Sequence, residues 1–122
     1  MTDWAIIYIQ ALIGAKAQDT VYTEAFSVGW PDAPHRVLRS CITAAEAYQG
    51  EIVGEYVDPN TSRRRPLRRF QPFDIHAEVT GAIEAMPHWA GESVDGVKKV
   101  QPAAEIVSEL VDEAEQLLRR WS

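Results

Sequence analysis

The sequence predicts an α+β fold, a single-layer and mainly antiparallel sheet with two helices packed on one face, in the order ββαβ(β)α. Three observations lead there. The chain opens on two apolar, β-branched stretches separated by a short polar connector. It closes on a strongly amphipathic helical pattern, and no parallel βαβ unit lies between them. At 122 residues the chain has the length of one domain with one core, so residues 1–122 are expected to fold as a unit.

Residues 4–12, WAIIYIQAL, read with period two as a strand that is apolar on both faces. After the connector GAKAQDT, the run from Thr20 to Trp30 alternates Tyr22, Glu24, Phe26, Val28 and Trp30 against smaller residues, giving a second strand paired with the first. Pro31, Asp32 and Pro34 break it. Asp32 is placed to cap a helix over His35 to Gln49, whose apolar positions Val37, Leu38, Cys41, Ile42, Ala45 and Tyr48 recur at helical spacing. Gly50 stops that helix, and residues 51–57, EIVGEYV, form a third strand.

Asp58, Pro59 and Asn60 then turn the chain into an arginine-rich stretch. Pro66 and Pro72 forbid a continuous helix there, so residues 59–72 are expected to be an exposed loop. Residues 74–86 fit both a helical stripe and a period-two alternation, and Thr80 with Gly81 favours the strand. From Pro102 the pattern Val107, Leu110, Val111, Ala114, Leu117, Leu118 and Trp121 marks a five-turn helix. Its acidic residues come early and Arg119 and Arg120 late, matching the helix dipole.

Charge is unevenly distributed. The formal net charge is -6, with 18 acidic and 12 basic residues, yet Arg63, Arg64, Arg65, Arg68 and Arg69 stand together without an intervening acid. Arginine presents a planar fork suited to carboxylate and phosphate. Three readings of this segment are open: contact with an acidic protein surface, contact with nucleic acid, and pairing with the chain's own acids such as Glu105, Glu109, Asp112, Glu113 and Glu115. An acidic chain is not the usual electrostatic footprint of general nucleic-acid binding, and a stacking platform would have to come from Phe70 or Phe73.

Chemistry-bearing motifs are sparse. His35, His76 and His88 fall in separate segments without metal-ligand spacing, so no metal site is expected. Cys41 lies on an apolar stripe and reads as core packing, and a lone cysteine excludes an internal disulfide. Neither a phosphate-binding glycine loop nor a nucleophile elbow is present, so no cofactor and no catalytic residue is assigned. The apolar run at 4–15 is too short to span a membrane and lacks a basic leader, which gives the expectation of a cytoplasmic protein without membrane contact.

The functional expectation is a non-enzymatic protein that binds a macromolecule, inhibitory or adaptor in character, of the toxin-immunity or anti-defence kind. A protein partner is expected, met by Arg63, Arg64, Arg65, Arg68, Arg69, Trp30 and Trp89. Two alternatives stand beside it: nucleic-acid binding through the arginines, and a small ligand-binding domain or enzyme in which His76, His88, Tyr8 or Tyr56 converge with a carboxylate. Self-association through the last helix is open as well.

Overall fold

The computed structural model describes residues 4–121. It is α+β, as expected, but the strands are divided between two small antiparallel sheets. The first pairs β1 (Thr20–Thr23) with β2 (His35–Leu38), in the register Thr20 to Leu38 and Thr23 to His35. The second orders β4-β3-β5, with β3 at Ile52–Val57, β4 at Arg64–Arg68 and β5 at Thr80–Gly81. Helix α2 (Arg39–Ala47) lies between β2 and β3 in the chain, and α3 (Ala103–Arg120) closes it.

The first expected strand is helical. A π-helical turn over Ala5–Ile9 runs into α1, Gln10–Ile13. Trp4, Ile7 and Tyr8 pack on one apolar cluster and Ala11 and Leu12 on another. These five positions are spaced i, i+3, i+4, i+7, i+8, the stripe of a surface helix, and Ile6 faces solvent. An apolar run with residues on every face satisfies both periods, and the period-two reading overlooked the one that the tertiary contacts select.

With that segment helical, β1 needs another partner and takes it from the N-terminal end of the expected first helix. His35–Leu38 pair with β1, and the helix begins at Arg39. Asp32 does not cap it, since its φ of 55° places it in a left-handed loop position. Residues 88–90 run along the other side of β2: Leu38 N–H donates to His88 O, Ala90 N–H donates to Arg36 O, and Val37 pairs with Trp89. Beyond Thr23 the expected second strand leaves the sheet as Thr23 Oγ1 accepts from Ala25 N–H.

β3 stands where it is expected. In residues 74–86 the strand is reduced to the two residues of β5, followed by a 3-10 turn at Ile83–Ala85. β5 lies so close to β3 that glycine is required on both sides. A Cβ on Gly54 would overlap Thr80 O, and one on Gly81, whose φ is 122°, would overlap Val53 O.

The core comprises three apolar clusters. The largest joins Val53 and Leu67 of the second sheet to Ala45, Val79, Ile83, Ala85 and Met86. A second gathers Phe26, Val37 and Cys41, and a third Ala15, Leu38 and Val94. The histidines of this region belong to the core. His88 is buried, donates from Nε2 to Ile83 O at 2.9 Å and meets the Tyr8 ring edge-on at 4.9 Å, while Tyr8 Oη donates to Trp89 O. Burial holds the His88 pKa below its ordinary value.

The last helix is formed as expected but is not packed on the sheet. All of its residues are exposed, and none belongs to the three clusters. Among the described residues no helix is long and apolar enough to cross a membrane.

The Gly54 contact generates a direct test. Gly54→Ala forces either β5 or the strand backbone to move, so the loss of stability should reach or exceed about 2 kcal/mol. Urea denaturation of the wild type and variant measures it; an unchanged midpoint would mean that β5 is not seated against β3.

Candidate interaction surface

β3 and β4 form a hairpin whose turn is organised by Asp58. Its Oδ1 accepts from Asn60 N–H at 2.8 Å, its carbonyl accepts from Ser62 N–H, and its own N–H donates to Arg63 O. Oδ2 accepts from Arg65 Nε at 2.8 Å. The Asn60 N–H and then the Arg65 guanidinium hold the Asp58 carboxyl below its ordinary pKa.

The ladder decides which way the arginines point. Leu67 is buried opposite Gly54, and Tyr56, which packs on the largest cluster, lies opposite Arg65. Strand alternation therefore turns Arg64, Pro66 and Arg68 to the outer, solvent side, where Glu55 and the exposed Ile52 accompany them. Segment 59–72 is thus exposed as expected, but its centre is a paired strand rather than a loop. The Pro66 ring reads as a strand breaker in sequence, yet its position is on the edge of the sheet, where a missing N–H is tolerated.

β4 is that edge strand, and its free side is interrupted. The Asp58 N–H to Arg63 O bond fixes the phase of the antiparallel ladder, which sends the backbone of residues 64, 66 and 68 outward. Pro66 has no N–H there, and Arg68 N–H donates to Gln71 Oε1 at 2.9 Å. An edge finished in this way is a poor template for an added strand. What it offers is side chains.

Those side chains are held unequally. Arg64 faces Glu55 at 3.6 Å and Arg65 faces Asp58. Arg69 is only half-exposed: it reaches Glu51 at 3.7 Å, donates to Tyr48 O at 3.2 Å and lies over the Phe70 ring at 5.6 Å. The expected pairing with the acids of the last helix does not occur in the described residues, where the partners of the segment lie on its own hairpin. Glu51 and Glu55 were legible in the sequence as strand residues, but their role as guanidinium partners follows from the register, which no sequence spacing displays.

The arginine strand runs directly into an aromatic cluster. Phe70, at φ 65°, packs 5.9 Å from Phe26, which in turn lies 6.3 Å from Trp89. Val28 N–H donates to Phe70 O, tying the 25–34 loop to the end of β4. Trp30 stacks on His35 at 5.5 Å and remains 42% exposed. Trp89 is half-buried, donates from Nε1 to Phe73 O at 3.0 Å and supports His35 edge-on. Trp30 therefore presents a ring to solvent, and Trp89 belongs to its foundation. His35 accepts at Nε2 from Phe26 N–H, so its Nδ1 carries the proton and donates to Ala33 O at 2.8 Å. Sequence reasoning missed Phe26 and His35 as the base of this platform.

Phe70 and Phe73 pack against the largest cluster and do not form the open stacking platform that nucleic-acid binding would use. Cys41 is fully buried and donates to Leu38 O; burial pushes its thiol up to about 11, a value at which no thiolate nucleophile exists near neutrality. Among the described residues no three His, Cys, Asp or Glu side chains are placed to hold a metal ion. Of the residues proposed to converge in a pocket, Tyr56 and His76 line one cleft of about 360 Å³ with Asp74, Phe73 and Gln71, whereas Tyr8 and His88 meet inside the core.

The class defined so far is an α+β domain with two small antiparallel sheets and a charged hairpin edge. A scan against protein-family models finds no match for the chain, and searches of the curated proteins and of the solved structures find none either.

Asp58 supplies the test of the turn. Its folded pKa is lowered, so its contribution to stability is complete above the ordinary carboxylate value near 3.9 and is lost as pH falls through the folded value. Arg65→Gln should raise the Asp58 pKa part of the way back, with Asn60 N–H retaining the rest. Carboxyl titration by NMR reads this; an unmoved pKa would exclude the Arg65 contact in solution.

Proposed function

We propose that this chain is a non-enzymatic macromolecule-binding protein, inhibitory or adaptor in character, whose outer β3–β4 face engages a carboxylate-rich protein surface. The observation that supports this reading is the edge strand itself: Pro66 and Gln71 interrupt its backbone as a template for an added strand while Arg64 and Arg68 project on the solvent side. Trp30, whose loop is tied through Val28 to Phe70 at the end of β4, would add an apolar contact of the kind that anchors interfaces. Arginine fits this task because its weakly hydrated fork pairs bidentately with carboxylates. The net-acidic remainder of the chain would disfavour broad attachment to polyanions and leave a local site.

The arginines divide into two groups. Arg65 and Arg69 hold the hairpin and its junction with Tyr48 and Phe70, whereas Arg63, Arg64 and Arg68 are available at the surface. Replacing those three with Ser should leave the fold intact and weaken partner binding at least about tenfold, with a reduced dependence on salt. The measurement is affinity capture from host lysate with wild type and variant in parallel, followed by titration of the captured protein. Undiminished capture by the variant would remove this face from the interface; captured nucleic acid would replace the protein reading with the polyanion one.

A second reading draws on the cleft beneath the hairpin turn, where Tyr56, Asp74 and His76 share a space of about 360 Å³, at the lower end of the size of ligand pockets. His76 Nδ1 there accepts from Glu78 N–H at 3.2 Å. A ligand in this cleft should shift the His76 ring resonances, and a small-molecule screen read by NMR that leaves them unmoved would exclude the cleft.

A further inference from the structure

We infer that His88 is an acid-sensitive latch: its neutral ring holds residues 82–90 against β2 and α2, and a second proton on that ring releases the segment together with the aromatic platform it supports. The inference is independent of the reading of the arginine face.

The ring sits where four parts of the chain meet, and it is 2% exposed. Its backbone is fixed from two sides, since His88 O accepts from Leu38 N–H of β2 and His88 N–H donates to Cys41 Sγ of α2. Nε2 donates to Ile83 O at 2.9 Å within the segment itself, and the ring meets Tyr8 of the N-terminal helical turn edge-on. A carbonyl can only accept, so Nε2 carries the proton of the neutral ring. Nδ1 is then a bare lone pair. It is buried, and among the described residues no hydrogen-bond partner reaches it, although buried polar atoms are nearly always partnered.

The neutral ring tolerates this arrangement and the charged ring does not. A proton on Nδ1 turns an idle acceptor into a donor and places a positive charge in the core, where an unpaired charge is costly. Among the described groups that pack on the ring, none is placed to receive it. Tyr8 of the N-terminal turn keeps its hydroxyl on Trp89 O. From α2, the Cys41 thiol donates to Leu38 O and accepts from His88 N–H. What β2 brings to His88 is the Leu38 N–H, another donor. Glu84, on the Ile83–Ala85 turn, is exposed; its charge favours protonation, but burial outweighs it. An opened segment accepts the proton near the ordinary histidine value of about 6.5. The closed state is therefore fully stabilised above that value and loses stability as pH falls toward the lower folded value, with the opening constant rising at most about tenfold per pH unit.

Opening carries Trp89 with it. Trp89 follows His88 directly, its carbonyl accepts from Tyr8 and its ring stands edge-on to His35, on which Trp30 stacks. Next to it, Ala90 N–H donates to Arg36 O and holds the segment to β2. The setting of the solvent-facing Trp30 ring thus depends on a buried group whose charge changes in mild acid.

The experiment is amide hydrogen exchange of the full chain, read by NMR between about pH 7.5 and about pH 4.5, with each rate referred to the intrinsic rate at the same pH. The Leu38 and Ala90 amides, which bridge β2 and the segment, should lose protection by up to about tenfold per pH unit. Asp58 and Arg69 amides, bonded within the β3–β4 hairpin, should keep theirs. In the wild type the loss should level off at the pH where the His88 ring resonances titrate, which ties it to this group without any substitution. His88→Gln offers Ile83 O a similar donor and carries no titrating charge, so its Leu38 protection should be flat with pH. Flat protection in the wild type, equal loss throughout the hairpin, levelling at a pH unrelated to the His88 titration, or an undiminished pH dependence in His88→Gln would each overturn the inference. Loss confined to the Phe26 N–H, which donates to His35 Nε2, would overturn it as well and assign the acid response to His35.

Discussion

Two sheets that share no strand are joined into one body by the packing of a single nine-residue helix, and the small side chains on its buried side make that possible. Cys41 and Ala45 of α2 are both fully buried, one in the cluster that holds Phe26 and Val37, the other in the cluster that holds Val53 and Leu67. They are separated by one turn and lie on the same helix face. Small residues there allow β2 and the Ile83–Ala85 turn to approach the helix closely. The contacts that follow depend on this spacing, including the donation of His88 N–H to Cys41 Sγ and the course of residues 88–90 along β2. Phe70, packed against both clusters, completes the link and carries the end of the arginine strand to the aromatic platform.

The hairpin illustrates how a charged surface is built without weakening the core beneath it. Leu67 secures β4 from the inside, and the bulge between Ile52 and Gly54 lets Val53 enter the core while the exposed Ile52 stays opposite Arg68. Ion pairs at the surface contribute little to stability individually. Their effect here is geometric, since Asp58 and Glu51 tie the Arg65 and Arg69 guanidinium groups to the hairpin while Arg64 stays exposed beside Glu55. The helix α3 stands in contrast, with an ordered apolar stripe that has no counterpart within the described residues.

How far the fold was legible depended on whether local pattern and tertiary context agreed. β3 and α3 have unambiguous periods and stand where their sequences put them. Residues 4–12 are apolar on all sides, so the period was undecided until Trp4, Ile7, Tyr8, Ala11 and Leu12 found neighbours. His35 to Leu38 continue the helical stripe of α2, yet pairing with β1 overrides it. Pro66 led the arginine segment to be read as a loop because an edge position cannot be recognised before the sheet order is known. The same holds for the surface: Trp30 and the outer arginines could be named from residue type, whereas the division between Arg65 and Arg69, which hold the structure, and Arg63, Arg64 and Arg68, which do not, required the register. The destination of α3 was open in the sequence, and packing against the domain's own sheet is not the outcome.

The interruption of the free side of β4 by Pro66 and Gln71 has a consequence for how such a surface can change over time. Recognition through main-chain pairing is insensitive to most substitutions, because any residue supplies the same amide groups. A face that acts through Arg64, Arg68, Glu55 and Ile52 above a backbone interrupted by Pro66 has little such buffer. Each of these side chains can be exchanged singly without disturbing Leu67 or the ladder, so the choice of partner can drift one residue at a time while the scaffold stays constant.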